Sequence, residues 1–222
     1  MLRLPFGGHE FHVVGGKALF WPARAALIVA DLHLEKASWF AQHGQMLPPQ
    51  DSLATLDMLA ALVGETDARE IWCLGDNFHD SEGPSRLTGP ARARLTDLVT
   101  RTRWTWITGN HDAALAAHIG ASVQVEAAID GLVLRHAADP HEARPELSGH
   151  FHPKHKVTAR GRTVTRACFV EGPTKLILPA FGAFTGGMPA TDAAIRQPLG
   201  QIIAIHVPAG DRLVRFADAA NS

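Results

Sequence analysis

Four short clusters of acidic, amide and imidazole residues recur along the chain: Asp31-Leu32-His33, Gly75-Asp76, Gly109-Asn110-His111-Asp112 and Gly149-His150-Phe151-His152. Each lies at or just past the end of a short apolar run. Carboxylate, carboxamide and imidazole are the donors that hard and borderline divalent cations take, and one loop cannot surround two ions, so the ligands of a pair must converge from several strand ends. Asp31 and His33 are two apart, which puts them on one face of a regular strand or lets a following turn aim both at one ion. Asp76 offers two oxygens, enough to bridge two cations. Asn110 adds a neutral oxygen, and His150 and His152 repeat the spacing of the first pair. One more imidazole is needed, and His136 is the candidate because the apolar run before it resembles those that deliver the other ligands. A centre of this kind hydrolyses phosphoesters with a water shared between the ions as nucleophile, so no protein group need be phosphorylated. The leaving alkoxide must still be protonated, work that suits an imidazole near neutral pH, and His111 stands beside a ligand in position to do it.

The elements that must position these residues can be read from periodicity. Glu10 to Val14 and Lys17 to Trp21 flank Gly15-Gly16, which predicts a two-residue hairpin. Ala25 to Ala30 reads as a strand covered on both faces and ends at Asp31. Beyond Pro48-Pro49, Leu53, Leu56, Leu59, Leu62 and Val63 recur at helical spacing, with Asp51 or Ser52 available as a cap. Ile71 to Leu74 is the next strand. Ser81 to Pro90 reads as a loop, Ala91 to Thr100 as a helix, and Trp104 to Thr108 as a strand running into Gly109-Asn110-His111-Asp112, where Asp112 is placed to cap a short helix, Ala113 to Ile119. The rest is strand-rich: Val123 to Ile129, Leu132 to His136, Lys156 to Ala159, Thr163 to Val170, Lys175 to Leu178, Gln201 to Val207 and Arg212 to Phe216. Hairpin turns are expected at Asp130-Gly131, Arg160-Gly161 and Ala209-Gly210. Strand–helix alternation followed by hairpins predicts an α/β fold, a layered sandwich of two packed mixed sheets flanked by helices.

The chain has 222 residues, 46% apolar and 19% charged, with a formal net charge of −1. That size suits one domain, 1–222, with a core of about 10–216, and the charge gives no global pull towards nucleic acid or anionic membrane. Cys73 and Cys168 sit in apolar runs rather than at a metal-binding spacing and read as buried, reduced thiols. The first residues lack the apolar stretch of a signal peptide, and no run is long enough to span a bilayer, so the cytoplasm is expected and no membrane partner.

The ordered set resembles the calcineurin-like metallophosphoesterase superfamily, whose motifs are D-x-H, GD, GNH[D/E], a lone H and GHxH; all are present. Within it, Asp31-Leu32-His33-Leu34-Glu35-Lys36 and Leu178-Pro179-Ala180-Phe181-Gly182-Ala183-Phe184-Thr185-Gly186-Gly187 are similar to the ligase-associated DNA-damage-response metallophosphoesterases. The resemblance spans roughly Glu10 to Val207. It implies one metal held by Asp31, His33, Asp76 and His152 and a second by Asp76, Asn110, His136 and His150, usually manganese, with His111 as the catalytic imidazole. It also implies a phosphodiesterase acting on nucleic acid by attack of a metal-bridging hydroxide, a role in DNA repair and a functional link to a DNA ligase. In one departure, His136 is followed by Ala137 where many superfamily members have glycine.

Other readings stay open beside these. The same core serves a phosphomonoesterase or nucleotide pyrophosphohydrolase, which differ only in pocket walls, and a decayed site would leave a scaffold. Lys154, His155, Lys156, Arg160, Arg162 and Arg166 are either a phosphate-holding strip, with Lys154 and Lys156 beside Asn110 as substrate contacts, or a solvated hairpin face. Trp39 and Phe40 stack on a base or pack a helix. His79 and Asp80 touch the ligand shell or belong to an ordinary loop. The small residues of Leu178 to Gly187 imply close backbone approach, to a substrate or to a neighbouring strand.

Overall fold

Seven strands among the described residues, which are 1–87, 89–110, 112, 120–159 and 161–217 of the computed structural model, build a sheet from the first half of the chain. β1 (Leu2–Phe6), β2 (His9–Val14), β3 (Ala18–Trp21) and β4 (Ala26–Ala30) form an antiparallel meander, and β5 (Glu70–Leu74), β6 (Arg103–Ile107) and β7 (Ser122–Gln124) follow β4 in parallel. Parallel neighbours need crossovers. Between β4 and β5 the crossover is α1 (Lys36–Gln42) with α2 (Asp51–Thr66), and between β5 and β6 it is α3 (Gly83–Arg86) with α4 (Gly89–Arg101).

The second sheet holds β8 (Glu126–Ile129), β9 (Leu132–Arg135), β10 (Glu146–Ser148), β13 (Phe169–Glu171), β14 (Lys175–Ile177), β15 (Ala204–Ala209) and β16 (Arg212–Phe216), in the order β16-β15-β13-β14-β10-β9-β8. Its central strands β9, β10 and β14 are parallel. A separate hairpin pairs β11 (Lys154–Ala159) with β12 (Arg162–Ala167), and α5 (Ala193–Leu199) precedes β15.

Alternation along the strands assigns the layers. In β4, Leu27 and Val29 join Leu56, Leu59, Leu95 and Leu98 in a core between the first sheet and its helices, while Ala26, Ile28 and Ala30 face Leu134, Leu147 and Leu176 in a core between the sheets. β5 divides in the same way, Ile71 and Cys73 against Trp72 and Leu74. The outer face of the second sheet, with Val170, Ile177 and Ile205, packs on Ile195 and Leu199 of α5. The strands read as continuously apolar because both faces are covered. At about 25 cal/mol per Å² of apolar area buried, these three layers of contact are the main favourable term in folding.

Several sequence expectations are corrected. Val123 to Ile129 is two strands, broken at the exposed Val125, with β7 in one sheet and β8 in the other. Thr163 to Val170 likewise splits, because Cys168 leaves the hairpin and its backbone N–H donates to Pro153 O. Periodicity does not reveal where a chain changes sheet. β1, β10 and α5 were not foreseen; α5 carries Pro198 and runs into Gly200, which reads as a turn, yet Asp192 caps its start by accepting from Ala194 N. The segment 201–207 enters the sheet only at Ala204, and the loop 81–90 contains α3 and the start of α4. Val14 pairs with Ala18, so the first hairpin loop has three residues, Gly15 to Lys17, and the last turns at Gly210-Asp211. Asp51 and Ser52 do not cap α2: Asp51 accepts from Ala37 N at the start of α1, and Ser52 accepts from Glu35 N. The expected helix 113–119, His111 and Arg160 lie outside the described residues.

Candidate metal centre

In-register parallel strands end at one level, and here every candidate ligand follows such an end. Ala30, Leu74 and Ile107 are aligned across β4, β5 and β6, so Asp31, Asp76 and Asn110 leave the first sheet together. His136 follows β9, and His150 and His152 follow β10. The two sheets therefore offer their carboxyl edges to one crevice, where α/β folds collect ligands.

Five of these residues have left-handed backbone: Asp31 (φ 52°), His33 (45°), Asp76 (44°), His150 (73°) and His152 (49°). The turn, not the strand, aims Asp31 and His33. Such conformations cost about 1–3 kcal/mol each outside glycine and persist where surrounding contacts over-determine them. Those contacts are visible. Asp31 N donates to Gly75 O, His33 N to Asp76 O and Gly149 N to His136 O, while the carboxylate of Asp31 accepts from His150 N at 2.9 and 3.1 Å.

The side chains fall into two sets, Asp31 with His33 and His152, and Asp76 with His136 and His150. Asp76 lies between them: Oδ2 is 3.9 Å from His33 Nε2 and Oδ1 is 3.4 Å from His136 Nε2. His33 Nε2 faces His152 Nε2 at 3.2 Å, and His136 Nε2 faces His150 Nδ1 at 3.0 Å. Asn110 Nδ2 is 3.5 Å from the same His150 Nδ1. Ring nitrogens converging in pairs next to buried carboxylates are the arrangement a shared cation satisfies, and two such clusters joined by one carboxylate fit two ions. Burial pushes the Asp31 carboxyl above the usual carboxylate range, and burial beside His136 lowers the His150 imidazole. Divalent charge would offset both, holding Asp31 ionised and His150 neutral.

Supporting contacts that residue type alone does not reveal hold this geometry. His136 Nδ1 donates to Leu74 O at 3.2 Å, which leaves Nε2 for a ligand role, the usual way an imidazole is oriented for a metal. Gly75 is required there, since a Cβ would lie 2.2 Å from His136 Nδ1. Asp112, read from sequence as a helix cap, accepts from Gly109 N at 2.8 Å and Asn77 N at 3.0 Å and takes the Asn77 amide at 2.7 Å. It thereby ties the loop of Asn110 to the loop of Asp76. Burial raises its carboxyl, and the backbone donors pull the other way. The Asp that closes the Gly109 cluster and the Asn after Gly75-Asp76 were the available signals.

The open readings resolve in part. The backbone of Leu178 to Gly187 approaches a neighbouring strand: Phe181 N donates to Ala30 O, and a Cβ on Gly182 would sit 2.1 Å from Leu32 O. Trp39 stacks on His43 at 4.0 Å and meets His79 edge-on, and His79 in turn packs against the His33 ring at 5.6 Å. Asp80 is bound to Arg86 at 2.8 Å, away from the ligands. In the basic hairpin Arg166 lies opposite His155 and Thr165 opposite Lys156, so Lys154 and Lys156 share one face and Arg162 and Arg166 the other. Cys73 and Cys168 are buried free thiols. No helix among the described residues is long and apolar enough to cross a membrane.

Two mixed sheets meeting at a paired Asp/His centre define a metal-dependent phosphoesterase. No family model matches the chain, and neither does any curated protein. Among solved structures, the chain is similar to the nuclease MPE of Pseudomonas putida, at 30% identity over 96% of this chain and 98% of that one, with a TM-score of 0.74. The phosphoesterase Yfce from E. coli is 16% identical over 89% of this chain and 94% of its own, with a TM-score of 0.40. On the first of these likenesses, the chain belongs to the calcineurin-like metallophosphoesterase superfamily.

Proposed function

We propose that the protein is a phosphodiesterase that hydrolyses nucleic-acid phosphodiester bonds, a nuclease of DNA repair, with two Mn²⁺ ions as its cofactor. The observation that carries this is Asp76 placed between two Asp/His sets, in a chain similar over nearly its whole length to a bacterial nuclease. Asp31, His33, Asp76 and His152 would hold one ion and Asp76, Asn110, His136 and His150 the other. The mixed carboxylate, carboxamide and imidazole donors suit a cation harder than one held by thiolates. Bound there, such ions neutralise phosphoryl charge and supply a deprotonated water nucleophile at neutral pH.

The chain's own groups do the rest. His136 is locked through Leu74 O, and Asn110, exposed at the crevice mouth, can meet a phosphate oxygen. His111 would give a proton to the leaving oxygen. Lys154 and Lys156, on one face of β11, would hold backbone phosphate. Purified protein with Mn²⁺ should turn over bis-p-nitrophenyl phosphate and single-stranded DNA, and no metal-dependent turnover on either removes the diesterase reading. His111→Ala should lower kcat about 10²- to 10⁴-fold with metal content retained. Loss of metal in that variant would make His111 a ligand instead.

A further inference from the structure

Beside the first metal set lies a cleft of about 370 Å³ whose wall includes His152, Lys17, Lys154 and Phe184. Three elements that are remote in sequence make it: the β2–β3 turn, the start of the β11–β12 hairpin, and the loop that follows β14. Among the described residues, the cleft wall carries no carboxylate. Lys17 Nζ donates to the carbonyls of Phe181 and Gly182 at 3.3 and 3.4 Å, and Lys154 Nζ to that of Thr185 at 3.2 Å. Lys36, from outside the cleft, reaches Phe184 O at 3.2 Å. Neutral carbonyls orient an ammonium without cancelling its charge, so Lys17 and Lys154 are fixed positive groups in a wall that also holds Arg166 and, among the described residues, no counter-charge. Burial and the nearby Lys154 lower the Lys17 ammonium, which an arriving anion would reverse.

Phe184 stands out within this frame. Its backbone is left-handed, with φ at 56°, and the residue is 52% exposed although the loop carrying it is pinned by three lysines. A large aromatic on a strained, anchored loop gains nothing for the core from that position. Held rigidly next to fixed cations, it offers the two surfaces a nucleotide presents a need for: a face for the base and a charge for the phosphate.

We propose that this cleft is a nucleotide subsite, in which the base next to the scissile bond stacks on Phe184 and its phosphate rests between Lys17 and Lys154. The subsite rests on the nuclease reading above and gives it a direction, since His152 belongs both to the first Asp/His set and to the wall of this cleft. Stacking needs an unpaired base, so the substrate class is single-stranded or frayed nucleic acid with little sequence preference. Fluorescence anisotropy with Mn²⁺-loaded protein tests this, using an oligothymidylate and an abasic strand of the same length, both with phosphorothioate backbones. The parent should bind the base-bearing strand about tenfold more tightly. Phe184→Ala should abolish that preference and Phe184→Trp should restore it, and Lys17→Ala should flatten the salt dependence of binding by about one charge. Equal binding of the two strands by the parent, or an undiminished preference in Phe184→Ala, overturns the subsite. If the parent nevertheless turns over bis-p-nitrophenyl phosphate with Mn²⁺, the diesterase reading stands without it; if it turns over neither substrate, the reading beneath the subsite falls as well.

Discussion

Asp112 shows how much of a centre of this kind is held by residues that do not face the ion. Its carboxylate gathers the amides of Gly109, Asn77 and Phe78 and the side chain of Asn77, all within 3.3 Å. Buried donors left unpaired cost about 1–3 kcal/mol each. Asp112→Ala should therefore lower stability by about 3 kcal/mol in urea unfolding, and should weaken Mn²⁺ binding about 10- to 100-fold by isothermal titration. A variant that loses stability but keeps metal affinity would separate Asp112 from the centre. At this scale the sequence was most legible, because donor chemistry is a matter of side-chain type. The structure brings Asp31, His33 and His152 together, and likewise Asp76, His136 and His150, with Asp76 between the two sets and Asn110 next to His150. The work of Asp112 was not legible, since the same residue type at the same place suits a helix cap equally well.

At the scale of elements, what matters is the shared level of the strand ends and the closeness of the turns that follow them. Gly75 has left-handed backbone, and the His136 ring occupies the space a side chain would need, so the end of β5 and the end of β9 fit only around a missing Cβ. Gly75→Ala should displace His136 and abolish the second set while sparing Asp31, His33 and His152. Metal analysis after dialysis against Mn²⁺ should then fall from two ions per chain to about one, whereas two retained ions would show that the loops can yield. The strands β4, β5 and β6 were readable as apolar runs. β10 was not, for it has three residues, one of them the buried Glu146, and a strand that short has no period to detect.

Across the whole molecule, the formal charge is nearly balanced at −1, and one carboxyl is enclosed in the second sheet. Glu146, fully buried on β10, has its carboxyl raised by burial to about 7 despite Arg135 3.5 Å away and Lys175 level with it in β14. The folded state thus keeps this proton at pH values where the unfolded chain has released it. Its contribution to stability is greatest below the ordinary glutamate pKa, declines as pH rises from there to about 7, and is level above. Glu146→Gln keeps an acceptor for Asp139 N and removes the charge. Relative to the parent, it should gain about 3 kcal/mol between pH 4.5 and pH 8 in denaturant unfolding. A difference independent of pH would contradict the burial argument. Arg135 retains Glu126, Asp139 and Glu142 as partners, so the loss of Glu146 does not strand it.

Composition and pattern alone gave which side chains carry donor atoms, that these follow apolar strands, and that two packed sheets with helices outside would position them. Those properties are local: donor chemistry belongs to the side chain, and periodicity belongs to the segment. Which strand changes sheet at Val125 or Cys168, that left-handed turns rather than strand faces aim the ligands, and that Lys17 and Phe184 stand beside His152 were decided by tertiary structure. Such neighbours are far apart along the chain, and only closure of the two sheets onto a common core brings them within reach.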